Sequence, residues 1–246
     1  MIKFFRKIRQ NLLMENKTSK YFKYALGEIF LVVIGILIAL QINNWNENRK
    51  KHQLKVFYMN SIKNDLTKDT LDINHIIKLQ RADNKASDEY LNRMLDTLST
   101  IDTIINIAKN EYDFKFTVKR EYANNTFNTL ISTGNIELLD KELTQKLMDL
   151  NSIQQDQLER FYSHMGYFER IMSDYLQNYP IYDSIPENTV VGKILWDDID
   201  EKQLVGSFTS ILGLRKFMFK NSISGHLRVK DQSIEVLNLI DKLLEE

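Results

Sequence analysis

The feature that most restricts this chain is the run IFLVVIGILIAL, residues 29–40, in which no side chain is polar. Widened to YALGEIFLVVIGILIALQINNW, residues 24–45, it would cover about 30 Å as an α-helix, the thickness of a bilayer's hydrocarbon core. Tyr21, Phe22 and Tyr24 precede it and Trp45 follows it, placing amphipathic rings where headgroups would lie. The run is therefore read as a single transmembrane helix. Residues 1–23 form a basic tail before it, and residues 46–246 form a domain after it.

Charge sets the expected orientation. Lys3, Arg6, Lys7, Arg9, Lys17, Lys20 and Lys23 precede the span, against Arg49, Lys50, Lys51, Lys55 and Lys63 soon after it. The positive-inside rule places the tail in the cytoplasm and the domain in the periplasm, across the inner (cytoplasmic) membrane. No small-x-small cleavage site follows the apolar core, where Ala39 is succeeded by Leu40 and Gln41, so the segment is expected to stay attached. In MIKFFRKIRQNLLM, Ile2, Phe5, Leu12 and Leu13 fall near one side of a helix. That piece could lie among anionic headgroups as a topology signal, with a lipid sensor or docking site as the alternative.

MIKFFRKIR followed by GEIFLVVIGILIALQINNWNE resembles the opening of a family of single-span membrane proteins of Bacteroidota that carry a domain of unknown function. The likeness extends through about residue 50. Beyond it, the shared character is helical, aromatic-rich and of similar length. The resemblance implies location and architecture and supplies no catalytic residues.

Within the span, Glu28 is a carboxylate close to hydrocarbon, which by default suggests function. It lies about 6 Å of helix past Tyr24, near enough to the headgroups to snorkel or to pair with Lys20 or Lys23. Gly35 and Ala39 form a small-xxx-small pair. Glu28, Gly35 and Ala39 are thus the candidate intramembrane contact with another span.

After residue 43 the chain holds 26 basic and 31 acidic side chains, so it has no nucleic-acid footprint. It has no cysteine, which excludes disulfides and thiolate chemistry. Only 8 glycines and 2 prolines interrupt 246 residues, 27% of them charged and 43% hydrophobic, a composition suited to amphipathic helices.

The predicted fold class is mainly α, an antiparallel helical bundle behind the transmembrane helix. The span continues as helix to about Arg81 on Met59, Ile62, Leu66, Ile73 and Ile77; Asp83, Asn84 and Ser87 supply a turn. A second helix through Tyr90, Met94, Leu98, Ile101 and Ile105 completes a hairpin. Tyr112, Phe114, Phe116 and Val118 alternate with polar residues, predicting an extended segment. Residues 189–196 are either its partner in a short two-stranded β element or one more helical turn. Residues 121–132 return to helix, ended at Gly134. A helix of about forty residues runs from Leu143 to Leu176, before Pro180, and its aromatic and methionine stripe is read as core in preference to a ligand groove. A loop bracketed by Pro180 and Pro186 leads to a final pair of helices, residues 201–212 and 214–244.

No chemistry emerges from spacing. His52, His75, His164 and His226 are far apart, and none forms HExxH; Asp72 and His75, three apart on one helix, are read as solvated surface in preference to metal ligands. There is no phosphate-binding glycine loop and no serine elbow. The sequence therefore points to a non-enzymatic, membrane-tethered interaction module (scaffold, accessory subunit, or ligand or protein sensor) without cofactor or metal. Its partners would be the lipid bilayer and a protein or a second copy. The alternative is a membrane-anchored metal-dependent enzyme whose site only the fold assembles. A reporter that works only outside the cytoplasm, fused after Glu246, is expected to be active, and activity of a cytoplasm-only reporter there would reverse the orientation.

Overall fold

The computed structural model describes residues 18–180, 189–197 and 199–245. The amphipathic tail and most of the proline-bracketed loop, 181–188, lie outside the described residues. Among the described residues there are six α-helices and no strand: α1 Thr18–Leu95, α2 Ile101–Asn106, α3 Asn125–Thr133, α4 Lys141–Asn178, α5 Val190–Asp197 and α6 Glu201–Glu245. The mainly α fold is as the sequence predicts.

The chain divides into two units, residues 1–57 and 58–246. The described part of the first, residues 18–57, is the opening of helix α1, which continues into the second. Among the described residues α1 is the one helix long and apolar enough to cross a membrane, and none of its apolar window is buried. The second unit is a bundle, and its ion pairs and hydrogen bonds give the directions of its long helices. Lys146 pairs with Glu235 at 3.1 Å and Gln157 reaches Ser222, while the rings of Tyr175 and Phe208 meet at 6.0 Å, so α4 and α6 are antiparallel along their length. Lys63 pairs with Asp241 at 2.6 Å and Asp88 with Lys216, so residues 58–95 of α1 are antiparallel to α6 as well.

Between them the chain returns along α1 as extended backbone. Arg93 meets Glu111, Gln80 meets residue 117, Asp69 meets Ala123, and Asp65 meets Thr126. Residues 111–123 at 3.3 Å each span about 40 Å, which matches the stretch of α1 between Asp69 and Arg93, about 36 Å at 1.5 Å per residue. Extended chain thus fills the place of a second helix. The predicted alternation is present, but no β partner is: residues 190–197 are helix α5. Burial explains the alternation without a ladder. Tyr112 is buried, and Phe114, Phe116 and Val118 pack against a core of Phe168, Tyr175 and Phe208.

Each backbone group buried here needs a partner. Arg215, only 4% exposed, donates to the carbonyls of Asp113 and Lys115 and to the Tyr112 hydroxyl, with the Lys115 bond at 2.8 Å. Gln80 donates to the Thr117 carbonyl at 3.2 Å, and Tyr162 to that of Arg120 at 3.1 Å. The Arg215 guanidinium also lies 4.9 to 5.4 Å from the ring centres of Phe116, Tyr112 and Phe219, a cation–π setting that accommodates a buried cation.

Two predicted breaks are absent. Asp83, Asn84 and Ser87 lie inside α1, because Asp83 faces Arg215 at 3.4 Å and Ser87 is buried, so packing overrides their turn preference. The turn comes at residues 96–100 instead. There Asp96 accepts from the Leu98 amide and Thr100 caps α2, which passes into a single π-type turn, Ile107–Glu111. Gly213 does not divide the last helix either: Ile211, Leu212 and Met218 are fully buried around it, and that burial exceeds the cost of about 1 kcal/mol for glycine in a helix. Gly134, at φ 71°, ends α3 as predicted, and α4 closes at Asn178 before Pro180.

Arg215→Met keeps the apolar stem but leaves the carbonyls of Asp113 and Lys115 unpaired. It should lower stability by about 3 to 5 kcal/mol, read by urea unfolding of the full chain in detergent. Lys216→Ala removes a partly exposed ion pair and should cost less than about 1 kcal/mol in the same experiment.

Candidate functional site

The buried face of α4 reads Leu143, Leu147, Leu150, Gln154, Gln157, Phe161, Phe168 and Tyr175. The spacing is that of a core stripe, yet two glutamines occupy it. Opposite, α6 buries Ser222, His226 and Ser233 among Phe219, Val229 and Val236. The bundle therefore carries a polar seam where both sequences keep helical spacing but change chemistry.

At the seam's outer edge α4 and α6 enclose a cavity of about 420 Å³. Its floor is built around Gly225. A Cβ there would stand 1.7 Å from Gln157 Oε1, so only glycine lets the Gln157 carboxamide lie against α6. Gln157 Nε2 reaches the Ser222 carbonyl at 3.5 Å, and the Ser222 hydroxyl, though buried, has no partner. Ile153, Phe161, Phe217 and Met218 supply apolar wall, and Asp156, Arg160, His164 and Arg228 supply charge and polarity. Asp156 accepts from Arg160 Nε at 2.8 Å and from its Nη2, and the Arg160 guanidinium, followed by the field of Arg228, holds its carboxyl below the usual carboxylate range.

A second polar cluster lies deeper. Lys119, from the extended segment, sits 3.0 Å from Asp69 and 3.6 Å from Asp72, with its ammonium 5.0 Å from the Tyr122 ring centre. Asp69 also accepts from the Ala123 amide, at 3.0 and 3.1 Å. Burial raises the Asp69 carboxyl above its ordinary value, while Lys119 and the amide pull it down in part. The Tyr122 hydroxyl lies 3.3 Å from His226 Nδ1. Burial, helped by the nearby Lys119 charge, lowers His226 to about 4 and keeps the ring neutral. These contacts tie α1, the extended segment and α6 together. The cluster is closed, so its first role is to hold the extended segment in place.

Glu28, Gly35 and Ala39 all lie on α1 in the first unit. Spaced seven and four apart, they share one side of the helix, with Glu28 half-buried and Gly35 and Ala39 exposed. Among the histidines, His75 is exposed and does not join Asp72, which lies beside Lys119. His164 meets the Phe217 ring at 5.5 Å on the cavity wall, and His226 is buried. Among the described residues no three His, Asp or Glu side chains are placed to hold a metal ion. The aromatic stripe of α4 is core, with Phe161, Phe168 and Tyr175 buried. The groove was foreshadowed by glutamines at core positions and by a glycine in mid-helix, but nothing in their spacing says that the two helices face each other there.

His226 gives a pH dependence of definite sign. Between about 6.5 and about 4 the unfolded chain takes up a proton that the folded chain refuses, so stability falls as pH drops through that window, by about 3 kcal/mol in all. Asp69, shifted the other way, offsets part of this at the acid end. In urea unfolding at pH 7 and pH 5, His226→Gln should show a smaller loss of stability on acidification than the unsubstituted chain.

No curated protein and no solved structure shows significant similarity to the chain. A family model does, and its match over residues 28–212 takes in the apolar run of α1, the extended segment, all of α4 and the start of α6. The chain belongs to that family, DUF6090, a family of unknown function.

Proposed function

We propose that the chain is a membrane-tethered, non-enzymatic interaction module, anchored by residues 24–45 in the inner membrane with its bundle in the periplasm. The observation that carries the reading is the exposure of the apolar run. Phe30 is 66% exposed, Ile36 63% and Ile38 55%, an apolar surface that protein leaves uncovered and that a bilayer would cover. The basic residues before it favour a cytoplasmic tail. In the bundle, ionisable side chains are used to satisfy backbone, and a cavity of small-molecule size with a polar floor lies between α4 and α6, which suits recognition.

Glu28 is the residue through which this anchor would recognise another span. Near the interface a carboxylate costs about 1 kcal/mol, well below the roughly 3 kcal/mol at the bilayer centre, so insertion tolerates it. Glu28→Gln should reduce recovery of a co-purifying protein from mild detergent while membrane level and helicity stay unchanged. Glu28→Leu should reduce it at least as much. Recovery unchanged from the unsubstituted chain in both variants would remove Glu28 from the partner interface.

A further inference from the structure

We propose that the α4–α6 groove binds a small organic oxyanion, a carboxylate or phosphate ester carrying an aromatic or branched apolar body. The proposal rests on reading the bundle as a binding module, and it assigns that module a ligand class. Size is the first argument: about 420 Å³ lies within the range of small-molecule sites, roughly 300 to 1,000 Å³.

Charge is the second. The lining holds two guanidiniums, Arg160 and Arg228, against the single carboxylate of Asp156. Asp156 occupies the Nε and Nη2 side of Arg160 and so fixes its plane. Arg228 is exposed, and its influence on Asp156 is that of a charge acting through space. A planar fork is thus left for an oxyanion, which guanidinium recognises in bidentate fashion.

The floor is the third argument. Ser222 is 3% exposed and its hydroxyl has no partner; Gln157 is 7% exposed and its amide nitrogen makes one long bond. Buried polar groups left so are costly, and a site that completes them in the bound state recovers that cost. Phe217 and Phe161, on the cavity wall, offer apolar surface for the ligand's body.

The test uses the full chain in detergent and isothermal titration calorimetry with three probes: phenyl phosphate, phenylacetate and the neutral phenylacetamide. At least one of the two anions should bind, at least about tenfold more tightly than phenylacetamide, and the stronger of the two identifies the headgroup. Arg228→Gln, at an exposed position, should weaken that anion by about tenfold or more with the thermal midpoint unchanged. Gly225→Ala forces the Gln157 carboxamide off α6 and into the groove, and should abolish binding while helicity is kept. Absence of anion binding, or binding that ignores both substitutions, overturns the proposal. Recovery of a co-purifying protein, measured on the unsubstituted chain, separates the two readings: if protein is recovered while neither anion binds that chain, the groove assignment fails and the interaction module stands.

Discussion

The bundle depends on how it satisfies a dozen residues of extended backbone that have no neighbouring strand. In a helix or a sheet, backbone partners come with the element. Residues 112–123 have neither, so beyond the backbone bonds at the two ends, from Tyr112 to Ile107 and from Asn124 to Tyr122, side chains supply partners: Arg215 for two carbonyls, Gln80 for a third, Tyr162 for a fourth, and Asp69 for the Ala123 amide. The carbonyls of Asp113, Lys115 and Thr117 fall every second residue because an extended chain turns alternate groups to the same side. Phe114 and Phe116, of the opposite parity to Asp113 and Lys115, are the side chains that pack into the core.

This arrangement explains why the interior is so polar for a bundle. Asp69, Lys119, Arg215, Gln80 and His226 are all buried. Each unpaired would cost several kcal/mol, and each has a partner whose removal would leave another group stranded. The two cations differ in their setting. Arg215 is spread over three rings and two carbonyls, as a broad, weakly hydrated guanidinium allows, whereas Lys119 is a compact charge held by carboxylates. His226 remains neutral beside it because burial and the ammonium both disfavour a second positive charge.

Polarity also decides where the bundle opens. Along most of their length α4 and α6 bury leucine, isoleucine, valine and aromatic side chains, and the interface is closed. Where α4 offers Gln157 and α6 offers Ser222 and Gly225, small and polar groups replace apolar bulk and a cavity remains. Its outer charges come from the solvated sides of the same two helices, which is why a groove with guanidiniums at its edge needs no separate loop.

The sequence by itself determined the elements whose cause is local. The exposed apolar run of α1, the forty-residue scale of α4, the glycine end of α3 at Gly134 and the alternation of residues 112–118 all follow from periodicity or from one residue's backbone freedom. Tertiary structure decided everything that depends on a distant partner. Asp83 and Ser87 stay helical because of what they pack against; Gly213 passes unnoticed and Gly225 becomes a floor. The physical reason is common to all of them. Turn and strand preferences amount to about 1 kcal/mol, whereas burial and the pairing of buried charge across 50 to 150 residues of chain amount to several, and no local pattern records which partner will arrive.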